Sequence, residues 1–555
     1  MKNLNMYLTL VLLSIVLTAC GGDGGETEVL LELPPTPTTP PVIEKAVLTF
    51  SNQASALDIN VNHAHAPQQF LTEAMLYSAG VAVADYDNDD DLDIYFIVGS
   101  DGVNKLYQNQ GDNTYIEVAS DAGVAISGVK GSGPTFADID GDGWLDLFVG
   151  AVDRDLYYLF QNNKDGTFTD ITISAGLIMK AANSVSSSFG DIDNDGDLDM
   201  FISHWGTPLD SERSLEIVWR NDSENSVIKF VDISTEWGMD ELYQAQTLKN
   251  GVDTSFVPSL SDIDNDGDID LLLVSDSGKT KVLRNDGNKF TRTNIESIND
   301  QFGMGSAVGD IDNDGDMDWY VTSIYKKENS SQQINQSQSY NGNRLYINDG
   351  EGNFRNSAVV KGVDDGGWAW AACFADFNND GLMDIFHVNG WGQSGIDYTQ
   401  YQDDISRFYL QQSDGTFIES AAVVKVNEVK QGRGISCNDF DRDGDIDIIT
   451  SNNDGRASYL RNDLTPGHHY LTIQLDGNTP NTQALGAKIE VTSSTGLVQT
   501  KELRINTNFA SMNAVEAHFG FAQDSEPVDI KVTWPNGIVS EFTNITVDQV
   551  LTFQQ

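Results

Sequence analysis

Apolar positions along this chain come in short runs, and the runs recur in a fixed order around an acidic segment. A small, apolar run such as Gly133-Pro134-Thr135-Phe136-Ala137 precedes the acidic segment. A second, such as Leu147-Phe148-Val149-Gly150 or Ile269-Asp270-Leu271-Leu272-Leu273-Val274, follows it. Both are short and favour β structure, so they predict strands. A third strand recurs as Lys105-Leu106-Tyr107-Gln108-Asn109, Val282-Leu283-Arg284-Asn285 and Arg344-Leu345-Tyr346-Ile347-Asn348. A turn rich in Asn, Asp and Gly then leads into a fourth strand that opens on an aromatic residue, as in Asp165-Gly166-Thr167-Phe168 and Asp414-Gly415-Thr416-Phe417. Asp-Gly between apolar runs is a hairpin signal.

The acidic segment is itself the repeat. Nonapeptides of the form Asp-x-Asp-x-Asp-Gly-x-x-Asp start at Asp85, Asp138, Asp191, Asp262, Asp310, Asp376 and Asp439, at intervals of 53, 53, 71, 48, 66 and 63 residues. Four short antiparallel strands per repeat make the blade of a β-propeller, and seven repeats predict seven blades. The last repeat, Ser458 to Asp463, lacks its fourth strand. The early segment Ala46 to Asn60 has a spare one, Val47-Leu48-Thr49-Phe50, which is expected to complete blade seven and lock the ring. An open solenoid is the alternative fold.

Closely spaced carboxylates in a loop form an oxygen-only cage that suits a hard cation. Positions 1, 3 and 5 place side chains around one point, position 7 supplies a backbone carbonyl, and position 9 adds a further carboxylate. The candidate ligands are Asp85, Asp87, Asp89, Asp91 and Asp93 in loop one, and Asp138, Asp140, Asp142, Trp144 and Asp146 in loop two. Loop three offers Asp191, Asp193, Asp195, Asp197 and Asp199, and loop four Asp262, Asp264, Asp266, Asp268 and Asp270. Loop five offers Asp310, Asp312, Asp314, Asp316 and Asp318, loop six Asp376, Asn378, Asp380, Leu382 and Asp384, and loop seven Asp439, Asp441, Asp443, Asp445 and Asp447. Gly at position 6 permits a reversal with positive φ. Loop one departs from this with Asp90, and loop six has only three Asp and is expected to bind most weakly. The motif is not an EF-hand, since position 12 of loop two is Val149, inside a strand. Calcium is favoured over magnesium because the cage offers many protein oxygens, whereas magnesium keeps its waters. Up to seven Ca²⁺ are expected, one per blade.

The charge changes the picture only by its placement. There are 84 acidic residues against 32 basic ones, a formal net charge of -52. That balance opposes nucleic-acid partners and anionic lipid. The nonapeptides hold 33 of the acids, so the charge is concentrated at the cation sites. Lys2, the apolar run Met6 to Leu17 and Leu17-Thr18-Ala19-Cys20 read as an export signal too short to span a bilayer. The ending resembles a bacterial lipobox, which implies lipidation at Cys20, and Gly21 at the second mature position suggests sorting to the outer membrane or cell surface. The expected organisation is a signal peptide over 1–20, a Pro/Thr-rich tether over 21–45, the propeller over 46–463 and a small β domain over 464–555. In that last segment His469 to Leu475, Lys488 to Thr492 and Val528 to Trp534 alternate as strands, and Pro535-Asn536-Gly537 turns the chain. A two-layer sandwich beside the propeller is expected.

The loops with their flanking strands resemble the FG-GAP and VCBS repeats of the integrin α-subunit propeller, over about Ala46 to Asp463. In that fold such loops hold calcium within the blades. Leu485-Gly486-Ala487-Lys488-Ile489-Glu490-Val491, Ala517-His518-Phe519-Gly520-Phe521 and Val532-Thr533-Trp534-Pro535-Asn536-Gly537 resemble the ASPIC/UnbV domain. Propeller plus this domain is the arrangement of the cartilage acidic protein family and its bacterial relatives. The resemblance implies surface or matrix interaction with an extracellular protein or glycan, and membrane contact only through the lipid anchor.

No catalytic constellation stands out. There is no nucleophile elbow, no phosphate-cradling glycine loop and no HExxH. His468 and His469 are adjacent and face opposite ways, His518 reads as structural, and His63 and His65 read as a polar surface pair rather than metal ligands. Paired carboxylates could serve a glycosidase, but calcium accounts for the conspicuous Asp clusters. The chain is therefore read as a binding module rather than an enzyme, with an extracellular polysaccharide hydrolase or lyase as the alternative. Trp368 and Trp370 read as core aromatics, with a ligand platform as the sharper option. Cys373 and Cys437 lie three and two residues before their loops. A disulfide is possible in an oxidising compartment, but the unequal offset reverses side-chain direction on a strand and weighs against it.

Overall fold

The computed structural model describes residues 48–555 apart from 67–71, 113, 178–182, 207–216, 240–253, 288, 294, 326–340, 393–400 and 506–507. Cys20, the export signal and the tether lie outside the described residues. Residues Ala46–Gln555 form one compact unit.

Seven four-stranded antiparallel units carry the repeats. Blade two shows the pattern: Gly131–Ala137, Asp146–Ala151, Tyr158–Asn162 and Phe168–Asp170 pair in sequence order. Its first two strands are buried throughout, as expected for small and apolar runs pressed between neighbouring blades. The outermost strand buries only its leading aromatic, Phe168. The first strands of successive blades pack side by side, and that of blade seven, Gly432–Asn438, returns to Gly80–Ala84 of blade one. The ring is therefore closed, and the open solenoid is excluded.

Closure follows the expected route, with the closing strand at Phe50–Asn52 rather than over Val47-Leu48-Thr49-Phe50. Phe50–Asn52 pairs antiparallel with Ser458–Asn462, Phe50 opposite Asn462, as the fourth strand of blade seven. Phe50 packs edge-on against Phe377, with centroids 5.9 Å apart, and so ties the N-terminal strand to blade six as well.

Blade seven also carries a correction: Cys373 and Cys437 are joined by a disulfide. Cys373 lies two residues before Ala375, which pairs with Asp384. Cys437 lies one residue before Asn438, which pairs with Asp447 at the equivalent place. The two cysteines thus leave opposite faces of their sheets. Blades stack face to face, so opposite directions are what bring them together. Trp370 is fully buried and Trp368 is 7% exposed; both stack with Trp391 in the core rather than forming an open platform.

The C-terminal segment forms two sheets, ordered Val498–Glu502, Lys488–Thr492, Val528–Thr533, Val539–Ile545 and Ala517–Gly520, Tyr470–Asp476, Gln549–Gln554. Leu471, Ile489, Phe519, Val532 and Trp534 from both sheets share one core. This agrees with the expected two-layer sandwich. One feature was not expected: the sandwich sends a segment into the centre of the ring. Ser511 and Met512 pair in parallel with Val81 and Ala82 of blade one. The Asn508 carbonyl accepts the Ser306 amide, the Ala510 amide donates to Ser186 Oγ, and the Ile435 amide donates to Ser511 Oγ. Blades one, three, five and seven are thus all held by this plug, and Phe509 lies 5.1 Å from Trp370.

Candidate metal centres in the blade loops

Each acidic nonapeptide links the first and second strands of its blade, so all seven loops emerge on one face of the ring. Their internal wiring is repetitive. In loop two, Asp138 accepts the amides of Asp142 and Gly143, Asp142 accepts the amide of Trp144, and Asp146 accepts the amides of Ile139 and Asn162. Position 1 therefore ties the turn shut, position 5 holds its exit, and position 9 anchors it to the second strand. Gly at position 6 has φ of 86° in loop two and 102° in loop three, the conformation for which glycine is the default. Asp90 in loop one adopts φ 71° in the same role.

The wiring leaves oxygens over. Asp87, Asp140, Asp193, Asp264 and Asp441, the position-3 carboxylates of loops one to four and seven, each keep a buried Oδ1 with no hydrogen-bond partner. Buried polar atoms are almost always satisfied, and an unpaired carboxylate oxygen is costly. In loops one, three, four and five, oxygens of positions 1, 3 and 9 lie within 4.8 Å of one another: Asp85, Asp87, Asp93; Asp191, Asp193, Asp199; Asp262, Asp264, Asp270; Asp310, Asp312, Asp318. In loop two the trio is Asp138, Asp140 and Asp142. These residues fit a hard cation by donor type, convergence and unused lone pairs.

Protonation tells the same story. Burial, aided by neighbouring carboxylates, raises Asp85 and Asp191 to about 6, Asp310 and Asp376 to about 7, and Asp197 and Asp270 to about 8. Asp199 and Asp318 rise to about 9 by the same causes. Such crowding disfavours the charged form unless a cation offsets it.

Not every position-7 side chain turns inward. Asp268 Oδ1 accepts Asn194 Nδ2 at 2.6 Å, Asp316 Oδ1 accepts Asn265 Nδ2 at 3.0 Å, and Asp445 Oδ1 accepts Asn379 Nδ2 at 3.1 Å. These bonds join loop three to four, four to five and six to seven, a role the sequence reading missed. The signal was Asn at position 4 of five loops. Position 4 also needs positive φ, 56° at Asn88 and 60° at Asn194, which Asn tolerates. A second latch was missed as well. Asn162, Asn221, Asn285, Asn348 and Asn462, at the end of each third strand, donate to the position-2 carbonyl of the preceding blade at 2.8–2.9 Å. Gln411 does the same to Ile311 at 2.7 Å. In loop six, Asn378 Nδ2 donates to Asp380 Oδ2 at 3.0 Å, turning an amide into the cage.

The sandwich docks on this loop face. Thr482 Oγ1 donates to Asp138 Oδ2, and the Asp262 amide donates to Glu502 Oε1 at 3.3 Å. His518 Nε2 meets Asn379 Oδ1 at 2.7 Å, and the Ala522 amide donates to the Asn379 carbonyl. Burial lowers His518 to about 3 and keeps it neutral, in keeping with a structural role. His63 and His65 sit edge to face at 4.9 Å, with Nε2 atoms directed to Ser78 Oγ and the Met75 carbonyl rather than to a common point.

Residues 85–149, 146–202, 262–321 and 335–387 match the FG-GAP-like repeat family, and residues 477–555 match ASPIC and UnbV. Those repeat segments contain loops one to six. Cartilage acidic protein 1 of Mus musculus is 24% identical over 528 residues, covering 88% of this chain and 75% of that protein. Cartilage acidic protein 1 of Homo sapiens is 28% identical over 184 residues, covering 32% and 25%. The solved structure of BBS1N in complex with ARL6DN aligns at TM-score 0.37 and 9% identity over 72% of this chain and 96% of that one. At that score the likeness carries no weight, and the propeller rests on the sheet order above.

Proposed function

Because this chain is an FG-GAP-repeat protein closed by an ASPIC and UnbV domain, we propose that it is a calcium-stabilised binding module displayed outside the cell. The observation that carries the calcium reading is the set of five buried, unpaired position-3 oxygens, four of which, on Asp87, Asp140, Asp193 and Asp264, converge with further carboxylates. Calcium suits them because the cages are loop-built, rich in oxygen and surrounded by negative charge. Seven Ca²⁺ would offset +14 of the net charge of -52. Bound calcium is structural in this reading, holding the turns that carry the inter-blade latches.

The partner is an extracellular protein or glycan. Support comes from the likeness to cartilage acidic protein 1. The sandwich and its plug occupy much of the loop face and the centre of the ring, so partner binding falls to the rim or the opposite face. Export as a lipoprotein, anchored through Cys20 at the outer membrane or cell surface, completes the proposal. A glycan array and a protein pull-down with the full chain, in calcium and in chelator, test it. Saturable, calcium-dependent capture of one ligand class supports the reading. Depolymerisation of a captured polymer would replace it with a hydrolase or lyase.

A further inference from the structure

Each sheet of the sandwich has two edges, and three of the four are blunted. Ala517–Gly520 and Val498–Glu502 meet the propeller loops through His518 and Glu502. Val539–Ile545 shifts register against Val528–Thr533 and takes positive φ at Asn544, irregularities that spoil an edge for pairing. Gln549–Gln554 is the exception. It pairs in parallel with Tyr470–Asp476 on one side only, without a register shift. Its sequence, Gln-Val-Leu-Thr-Phe-Gln, holds no charge, proline or glycine. The outermost strand of each blade, by contrast, is two or three residues long, and short edges resist pairing.

The register shows which backbone groups are open. The Gln555 amide donates to the Asp476 carbonyl at 3.0 Å. Backbone direction alternates along a strand, so Gln549, Leu551 and Phe553 face Tyr470–Asp476 as well. Val550, Thr552 and Gln554 send their N–H and C=O groups outward, where no backbone partner meets them among the described residues.

The surroundings select the occupant. On the inner side, Leu551 and Phe553 are half-buried, and Phe553 stacks on Phe542 with centroids 4.1 Å apart. On the outer side, Thr552 and Gln554 line a cleft of ≈ 630 Å³ that also takes in residues of loops one and two. The lining holds Asp85, Asp90, Asp476 and Glu516 and no lysine or arginine. Glu516 is paired with Arg442, and Asp85 accepts loop amides. Asp90 and Asp476 are exposed and belong to no ion pair among the described residues. Asp90 stands at position 6, outside the ligand set of loop one, so a cation in that loop leaves its carboxylate open.

We propose that Gln549–Gln554 is a docking edge for an extended basic segment of a partner protein, which adds to the sheet as its next strand. Main-chain bonds to Val550, Thr552 and Gln554 supply affinity, and alternate side chains supply specificity. Apolar residues cover the Phe542–Phe553 seam, and lysine or arginine at the alternate positions answers Asp90 and Asp476. The net charge of -52 opposes a second copy of this chain as the occupant. The inference rests on the reading of the chain as a binding module and adds the edge of the sandwich to the surfaces open to a partner. The array and pull-down decide that reading separately from the test below.

The probe is a synthetic, dye-labelled peptide of alternating lysine and valine, titrated by fluorescence anisotropy into the full chain in calcium at physiological salt. Saturable binding is expected. It is weakened at least tenfold for the fully N-methylated peptide, which keeps the charge and loses the N–H donors, and is absent for a glutamate–valine peptide. T552P removes only an outward N–H and is expected to weaken binding at least tenfold; D90N/D476N weakens it at least threefold. Hydrogen exchange needs no variant: the amides of Val550, Thr552 and Gln554 should slow when the lysine–valine peptide binds. Equal binding of the N-methylated peptide, equal binding by T552P, or slowed exchange only elsewhere would overturn the proposal. Slowing of the same amides with protein concentration alone would assign the edge to a second copy of the chain and overturn it as well.

Discussion

Lys488 Nζ lies 3.1 Å from Asp262 Oδ2 and 2.6 Å from Asn265 Oδ1, so an ammonium from the sandwich rests on the first carboxylate of loop four. In the other six loops the corresponding oxygen accepts the amide of position 6. Loop four is therefore a cage whose field is set partly by an ammonium of the C-terminal domain.

A positive charge beside a cation site lowers its affinity. Replacement by methionine keeps the stem and removes the charge, so K488M is predicted to tighten one calcium ion by about three- to tenfold, on the order of 1 kcal/mol for a partly exposed pair. Calcium titration of parent and K488M, followed by calorimetry, checks this. An unchanged or weakened isotherm would remove Lys488 from the site.

The Asn latches predict a graded cost. Asn285 is buried and its side chain satisfies the Ile192 carbonyl at 2.8 Å. N285A strands that acceptor and is expected to cost about 1–3 kcal/mol. Asn194, which reaches Asp268 on an exposed rim, is expected to cost about 1 kcal/mol or less as N194A. Urea unfolding of the two variants, both loaded with calcium, measures the difference.

Cation-free protein is predicted to lose stability as pH rises. The raised carboxylates bind protons in the folded chain at pH values where the unfolded chain, near pH 4, has released them. Stability is therefore highest below about pH 4 for these groups. It falls as pH passes through about 6 at Asp85 and Asp191, about 8 at Asp270 and about 9 at Asp199 and Asp318. Melting in chelator at pH 5 and pH 8 should give the higher midpoint at pH 5. Calcium should remove or reverse that order.

Joining Cys373 to Cys437 closes a 64-residue separation and ties the innermost strands of blades six and seven together. Loss of the bridge in a C373S/C437S variant is expected to cost about 2–4 kcal/mol through the unfolded state. Unfolding of parent and variant under non-reducing conditions reads it directly.

The repeat was legible because each blade is locally encoded. Short apolar runs, Asp-Gly turns and the acidic nonapeptide all sit within one blade, and the spare strand near Phe50 was needed by simple counting. What escaped lies between blades. The Cys373–Cys437 bridge was disfavoured from side-chain alternation along one strand, whereas the relevant geometry is the facing of two sheets. Asn162 and Asn285 looked like ordinary strand-end residues because their acceptors belong to the preceding repeat, 76 and 93 positions away. The plug at Ser511 and Met512 carries no periodicity, and its strand is completed by Val81 and Ala82, hundreds of residues earlier.

In the proposed function the seven loops hold calcium and the fold depends on it. Equilibrium calcium binding to the full chain, read together with its melting temperature in calcium and in EDTA, tests this most directly. Several ions per chain are expected, up to seven, with loop six the weakest, and a midpoint lower by several degrees in EDTA, since a ligand bound only by the folded state stabilises it. A chain that binds no calcium, or melts at the same temperature in EDTA, would contradict it.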